Sequence, residues 1–311
     1  MKVLIVSQPN MLTEKDYSVL YPYSEVDYEE LDHISTSELA FKAREYDCLM
    51  LNYDVAEPFQ EEFYSLVEGS KLKFISCDIT GMSWAFPQTA FKKNIILTNT
   101  PNYCTRSVAE QIIGQMFLHS RKIHAAYCDL INGNEPKVRK GFNLEGKTVG
   151  VLGLGHIGQQ VAKIASGMGM NVIAWNHKHK DVDIPLLPID EVFRSSDIIC
   201  ICVKTTDDTK GMINADLLRL CKSNCIVINQ AGEQIVNIDD IYNSLLNQQI
   251  SGYSGTYSHD ISSHPILKLE TAIFQPANAW FSDESLAELR RIWVNNVVEY
   301  INGKIINQVL S

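Results

Sequence analysis

Residues 146–179 read GKTVGVLGLGHIGQQVAKIASGMGMNVIAWNHKH, and this stretch narrows the possible folds more than any other. An apolar run, Thr148 to Leu152, enters Gly153-Leu154-Gly155-His156-Ile157-Gly158. A helix-period segment, Gln160 to Met168, and a second strand-like run, Asn171 to Trp175, follow. This is G-x-G-x-x-G in a strand–turn–helix–strand setting, the context that gives the motif its meaning. Gly153 permits the tight turn, Gly155 lets backbone approach a pyrophosphate, and Gly158 lets helix and strand pack closely. The helix start offers unpaired N–H groups and a positive dipole end to phosphates. The segment predicts a parallel α/β domain with a dinucleotide at Gly153, Gly155, His156, Ile157 and Gly158.

A chain of 311 residues has room for two ordinary domains, and 45% hydrophobic residues suffice for their cores. No stretch approaches the ~18 unbroken apolar residues of a membrane span. The start, MKVLIVSQPN, lacks the basic lead and long apolar core of a signal peptide. Acidic residues outnumber basic ones, 37 to 27, for a net charge of −10. That balance disfavours nucleic-acid and anionic-membrane partners. The cysteines are scattered. Cys200 and Cys202 sit in the apolar pattern IICICV, and Cys221 and Cys225 have no histidine nearby, so no metal site is expected. A reduced, cytoplasmic protein fits this usage.

Strand and helix signals alternate throughout. Lys2–Ser7, Cys48–Tyr53, Lys73–Ser76 and Ile95–Thr98 read as strands, and Ser37–Tyr46 and Glu61–Val67 as helices. Such alternation argues for parallel βα units. Thr13–His33, acidic and Tyr-rich, reads as loop with short irregular pieces. Asn99-Thr100-Pro101-Asn102 is a turn signal and a crossover between domains. One long helix is expected from Ser107 to about His124. Beyond Lys147 come units at Asp197–Val203, Asn214–Leu220, Cys225–Asn229, Ile238–Leu246 and Ile250–Ser254. Ile273–Gln275 is the last strand, Pro276 a second crossing, and Ser282–Asn302 a helix that returns to the first domain.

Taken together, the chain resembles the D-isomer-specific 2-hydroxyacid dehydrogenases over nearly its whole length. The resemblance is carried by Asn99-Thr100-Pro101 through Ser107-Val108-Ala109-Glu110, and by Leu144–Gly150 leading into the glycine loop. Ser196-Asp197-Ile198 through Thr209–Asn214 and Cys225–Asn229 complete it. It implies two Rossmann-like α/β domains with parallel sheets, the nucleotide domain inserted in the other. Residues 1–100 and 282–311 would form a substrate or lid domain. Residues 101–281 would bind the dinucleotide, with an arm helix at about 105–124. It further implies a homodimer built through that arm, and a small-molecule ligand, a carboxylate in the family, taken into a cleft between the domains. The loop Cys77–Met82 would hold that carboxylate on the main-chain N–H groups of Gly81 and Met82, with Asp78 opposing an anion unless turned away.

The catalytic pattern departs from the family. Where the family reads N-x-A-R-G-x-x-V-D, this chain reads Asn229-Gln230-Ala231-Gly232-Glu233-Gln234-Ile235-Val236-Asn237. Gly232 takes the place of the arginine that grips the substrate in a fork geometry. Thr256 takes the place of an aspartate at the nicotinamide, and the following loop is short, with no clear counterpart of the glutamate. Pro276-Ala277 stands for P-H, so the histidine acid is alanine. General-acid help alone is worth roughly 10²–10⁴ in rate. Arg106, His259 and His264 are the candidate substitutes. The reading is an NAD(P)-dependent oxidoreductase with a rebuilt site and little ordinary 2-keto acid reduction. The alternative is a catalytically inactive homologue serving as nucleotide or metabolite sensor or partner subunit.

Asn176 stands where NAD-preferring members place an acid for the ribose. His177-Lys178-His179-Lys180 follow, and His177 or Lys178 would suit a 2′-phosphate, so the reading leans toward NADP(H) over NAD(H). Val203, Lys204 and Thr209 would lie beside the adenosine, and Ala231 and Thr256 beside the nicotinamide.

Overall fold

The computed structural model describes residues 1–56 and 59–309. The chain divides into two compact units. One comprises residues 1–104 with the segment from Asp283 onward, the other Thr105–Ser282.

The first unit is built on a parallel sheet. Its strands are β1 (Lys2–Ser7), β2 (Glu25–Glu30), β3 (Cys48–Leu51), β4 (Phe74–Cys77) and β5 (Ile96–Thr98), in the order β2-β1-β3-β4-β5. β3 and β4 are buried at every position, as both faces of a parallel sheet must be when covered by helices. Leu4, Val6, Leu49 and Ile75 pack with Leu39, Phe63 and Tyr64 on one face. Val3, Ile5, Met50 and Phe74 pack with Leu289, Trp293 and Val297 on the other. The C-terminal helix, Asp283–Ile301, supplies that second layer, and Trp293 Nε1 donates to the Ser76 carbonyl at 2.8 Å. Its return to the first domain is thus fixed by an apolar stripe and by buried hydrogen bonds that join Trp293 and Asn296 to Ser76.

Two local expectations change. Thr13–His33 is not irregular throughout: β2 lies there, paired in parallel with β1 from Lys2↔Glu25 to Ser7↔Glu30. β2 is an edge strand, EVDYEE, in which only Val26 and Tyr28 alternate with the acids and pack on the core, a signal too short to announce the strand. The expected helix from Ser107 to His124 is two helices, Thr105–Ser120 and Ile123–Ile131. Lys122 sits between them at φ +56°, a left-handed conformation that ends the first helix.

The second unit holds six parallel strands: β6 (Thr148–Leu152), β7 (Asn171–Trp175), β8 (Ile198–Ile201), β9 (Ile226–Asn229), β10 (Gly252–Thr256) and β11 (Ala272–Gln275). Their order is β11-β10-β9-β8-β6-β7. The chain builds β6 and β7, then crosses back to β8 on the far side of β6, so the winding direction reverses between β6 and β8. Ligands of doubly wound sheets bind beyond the carboxyl ends of the strands at such a reversal. Thr105–Ser120 packs against His156–Gly167. Its His119, 5% exposed, places Nε2 2.8 Å from Ser254 Oγ, and a Cβ on Gly252 would lie 2.6 Å from its Nδ1. Burial holds this imidazole down at about 4, neutral in the fold. Among the described residues no helix is long and apolar enough to cross a membrane, all eight cysteines are free thiols, and no group of metal-ligating side chains forms.

Candidate active site

Parallel strands bring every nucleotide-domain residue singled out by the sequence, apart from the arm helix's Arg106 and the two loop histidines, to one edge. Gly153 follows β6, Asn176 follows β7, Val203 and Lys204 follow β8, Ala231 and Gly232 follow β9, Thr256 ends β10, and Ala277 lies just past β11.

The glycine loop meets the stereochemical demands of a phosphate cradle. Gly153 has φ +93°, and a Cβ there would lie 2.9 Å from the Val203 nitrogen. A Cβ on Gly158 would strike the Gly153 carbonyl oxygen, because helix and turn touch there. A Cβ on Gly155 would meet nothing within 4 Å, so open space lies beside the turn, as a phosphate cradle requires. The helix His156–Gly167 starts at Gly155 without a side-chain cap, so its first N–H groups and dipole face that space. A dinucleotide therefore fits the residues present.

Asn176 and Lys180 brace this loop. Asn176 Oδ1 accepts from the Leu154 N–H at 2.9 Å, and its Nδ2 donates to the Lys178 carbonyl at 2.7 Å. Lys180 Nζ reaches the Leu154 carbonyl at 2.5 Å, alongside Gln159 Nε2 at 2.9 Å. His177 and Lys178 are exposed beyond them. Lys180, the last of the basic run, is thus the member that folds back onto the glycine loop, which the sequence alone did not indicate. Thr209 closes the loop after β8, donating to the Lys204 carbonyl at 2.8 Å and accepting from the Thr206 N–H at 2.8 Å.

At the end of β9, buried Asn229 clamps the turn: its Oδ1 accepts from the Ala231 N–H at 3.1 Å and its Nδ2 donates to the Gly232 carbonyl at 2.8 Å. Gly232 adopts φ +146°, and a Cβ there would lie 2.7 Å from Thr205 Oγ1. The backbone has a form that suits glycine and little else. Along the same edge, Gln230 Nε2, Ser258 Oγ and Gln275 Nε2 are buried with no hydrogen-bond partner. They are neutral groups that no periodicity or motif marks in advance.

The candidate substitutes are dispersed. Arg106 is exposed on its helix and paired with Glu110 one turn on. His264 has both ring nitrogens engaged: Nδ1 accepts from the Ile266 N–H at 3.1 Å and Nε2 meets Asp239 Oδ1 at 3.1 Å. His259 is exposed in the short helical turn His259–Ile261. In the first unit, Gly81 and Met82 lie in the loop after β4; a Cβ on Gly81 would meet nothing within 4 Å, and Met82 is buried. Asp78, at the head of that loop, is buried and bonded to Asn52 Nδ2 at 2.5 Å and the Tyr53 N–H at 2.9 Å.

Comparison with known proteins places this geometry in a family. Residues 113–279 match the family model described as D-isomer specific 2-hydroxyacid dehydrogenase, NAD binding domain. A hydroxypyruvate reductase of Thermotoga maritima is 34% identical over 185 residues, 58% of this chain and 60% of that protein, so that match spans less than two thirds of the relative. A glyoxylate reductase of Thermococcus onnurineus is 25% identical over 324 aligned positions, 98% of this chain and 94% of the relative. Among solved structures, an acyclic imino acid reductase in complex with NADPH and D-Arg aligns over all of both chains, at TM-score 0.85 and 24% identity. D-2-hydroxyisocaproate dehydrogenase does so at TM-score 0.86 and 18% identity. These structural likenesses establish the fold.

Proposed function

Because the chain belongs to the D-isomer specific 2-hydroxyacid dehydrogenase family, with its NAD binding domain, we propose that it is an NAD(P)-dependent oxidoreductase that reduces ordinary 2-keto acids poorly. The observation that carries this is a contrast along one sheet edge. The glycine cradle after β6 has the stereochemistry a dinucleotide needs, while the turn after β9 holds Gly232 at φ +146° and the segment after β11 carries Ala277. Neither residue grips a carboxylate or donates a proton.

When bound, the nicotinamide supplies or accepts a hydride. The chain's own residues do the rest. The first N–H groups of His156–Gly167 bind the pyrophosphate. Asn176 holds the glycine loop, and Lys180, with exposed His177 and Lys178, provides positive charge at the ribose end, which supports NADP(H) over NAD(H). Gly81 and Met82 offer main-chain donors to a substrate carboxylate, a role independent of side-chain identity. Restoring Gly232→Arg with Ala277→His tests the reading. The expected result is a correctly folded double variant with no gain on glyoxylate, hydroxypyruvate or pyruvate, since Thr205 and the positive φ exclude the arginine's stem. High wild-type turnover of any of these keto acids would refute the proposal.

The same φ at Gly232 also favours a second reading, a homologue that binds nucleotide without turnover and acts as sensor or partner subunit. Nucleotide binding with no reduction across a broad carbonyl and imine panel would select it.

A homodimer belongs to the proposal as well. The helix Ile123–Ile131 exposes Ile123, Tyr127, Leu130 and Ile131, each at least half exposed. An apolar surface of this kind suits a second copy of the chain.

A further inference from the structure

At the carboxyl ends of β3, β4 and β5 the first unit gathers oxygen acceptors without a cation. Asp78 is 4% exposed, with Oδ1 and Oδ2 held by the Tyr53 N–H and Asn52 Nδ2. Burial pushes its carboxyl up to about 6; the bonds from Asn52 and Tyr53 pull the other way, and Asp54 pushes it further up. No lysine, arginine or histidine pairs with it among the described residues. Two further groups are left without partners. Asn52 is 1% exposed and its Oδ1 has none; Thr100 is fully buried and its Oγ1 has none. Thr100 is tied to the same loop, its N–H donating to the Ile79 carbonyl at 3.2 Å and its carbonyl accepting from Thr80 Oγ1 at 2.8 Å. Buried acceptors left unmatched are costly, and a buried carboxylate without a counter-ion more so. The adjoining Thr80 and Gly81 are exposed, so the cluster lies beneath an open loop.

We propose that this end of the sheet receives the protonated nitrogen of a substrate, an ammonium or iminium, with Asp78 as counter-ion and Asn52 Oδ1 and Thr100 Oγ1 as further acceptors. The substrate class is then a 2-amino or 2-imino carboxylate. This rests on the oxidoreductase reading above and specifies its substrate. A keto oxygen is itself an acceptor and gains nothing from Asp78. An iminium brings the donors the cluster lacks, and it carries the proton that Ala277 has no means to give. Hydride addition to its carbon moves the C=N π pair onto nitrogen and yields a neutral amine, while NAD(P)H becomes NAD(P)⁺. Charge balances with no proton taken from the protein.

The test is calorimetric titration of the full chain, with and without saturating NADPH. The ligands are glycine, both enantiomers of alanine, leucine, arginine and glutamate, their N-acetyl forms, and the matching 2-keto acids. At least one free amino acid should bind about tenfold or more tightly than both its keto acid and its N-acetyl form, about 1.4 kcal/mol or more. Asp78→Asn should remove that preference while leaving NADPH affinity unchanged. Equal binding of a keto acid or N-acetyl form, no binding of any amino acid, or an amino-acid preference that survives Asp78→Asn would overturn the proposal. The N-acetyl comparison needs no variant, so it decides even where Asp78→Asn fails to fold. Loss of NADPH binding with the amine preference intact would instead sink the oxidoreductase reading alone.

Discussion

Gly232 and Asp78 show how much one residue decides in this fold. Gly232 is legible as a departure from a motif, but its φ of +146° and its closeness to Thr205 are not, because conformation depends on the Asn229 clamp and on a neighbouring strand's loop. Gly232→Arg alone should destabilise the chain by roughly 1–3 kcal/mol through backbone strain and the Thr205 clash. Urea midpoints check this, and an unchanged midpoint would mean the turn relaxes freely. Asp78 has a pH signature. Its folded-state carboxyl lies at about 6, above the ordinary 3.8, so the fold binds its proton more tightly than the unfolded chain does. The resulting stability is fully present below about pH 4 and is lost as pH rises through about 6. Relative to Asp78→Asn, the wild type should lose on the order of 3 kcal/mol across that window. A difference that stays flat with pH would show that Asp78 ionises normally.

At the level of elements, the sequence was most readable where burial on both faces forces an apolar run. β1 and β6 fall where the pattern put them and β3, β4, β8 and β9 within a few residues, while β7, a partly exposed edge strand, falls where its own run NVIAW put it. It was least readable where main-chain pairing or a single conformation decides. β2 is held by its register with β1, and the break at Lys122 comes from one left-handed residue. The glycine loop was legible as a motif, but its bracing by Asn176 and Lys180 was not, since those contacts depend on how the segment after β7 folds back. Gly158→Ala should cost about 3 kcal/mol or more and abolish nucleotide binding, because its methyl meets the Gly153 carbonyl. Thermal melts with nucleotide titration measure both effects. His119, which fastens Thr105–Ser120 to β10, predicts acid sensitivity. Its folded-state pKa of about 4 lies below the ordinary 6.5, so the unfolded chain gains the proton first as pH falls. Stability should decline between pH 6.5 and 4 by up to about 3 kcal/mol, a decline that His119→Gln lacks.

For the whole molecule, two parallel sheets each present the carboxyl ends of their strands, and both ends carry the groups that matter: the cradle and Gly232 in one unit, Asp78 and the Gly81 loop in the other. The apolar patch on Ile123–Ile131 predicts self-association. Leu130→Glu with Ile131→Lys should turn a dimer into a monomer in light scattering, and a wild type that is already monomeric would exclude it. Whether this chain holds a dinucleotide in its glycine loop is decided by titrating the purified protein with NADH and NADPH and following nicotinamide fluorescence. Micromolar binding is expected, tighter for NADPH, with the NADPH preference reduced by Lys180→Ala. Absence of binding by either nucleotide would contradict a dinucleotide role for the loop.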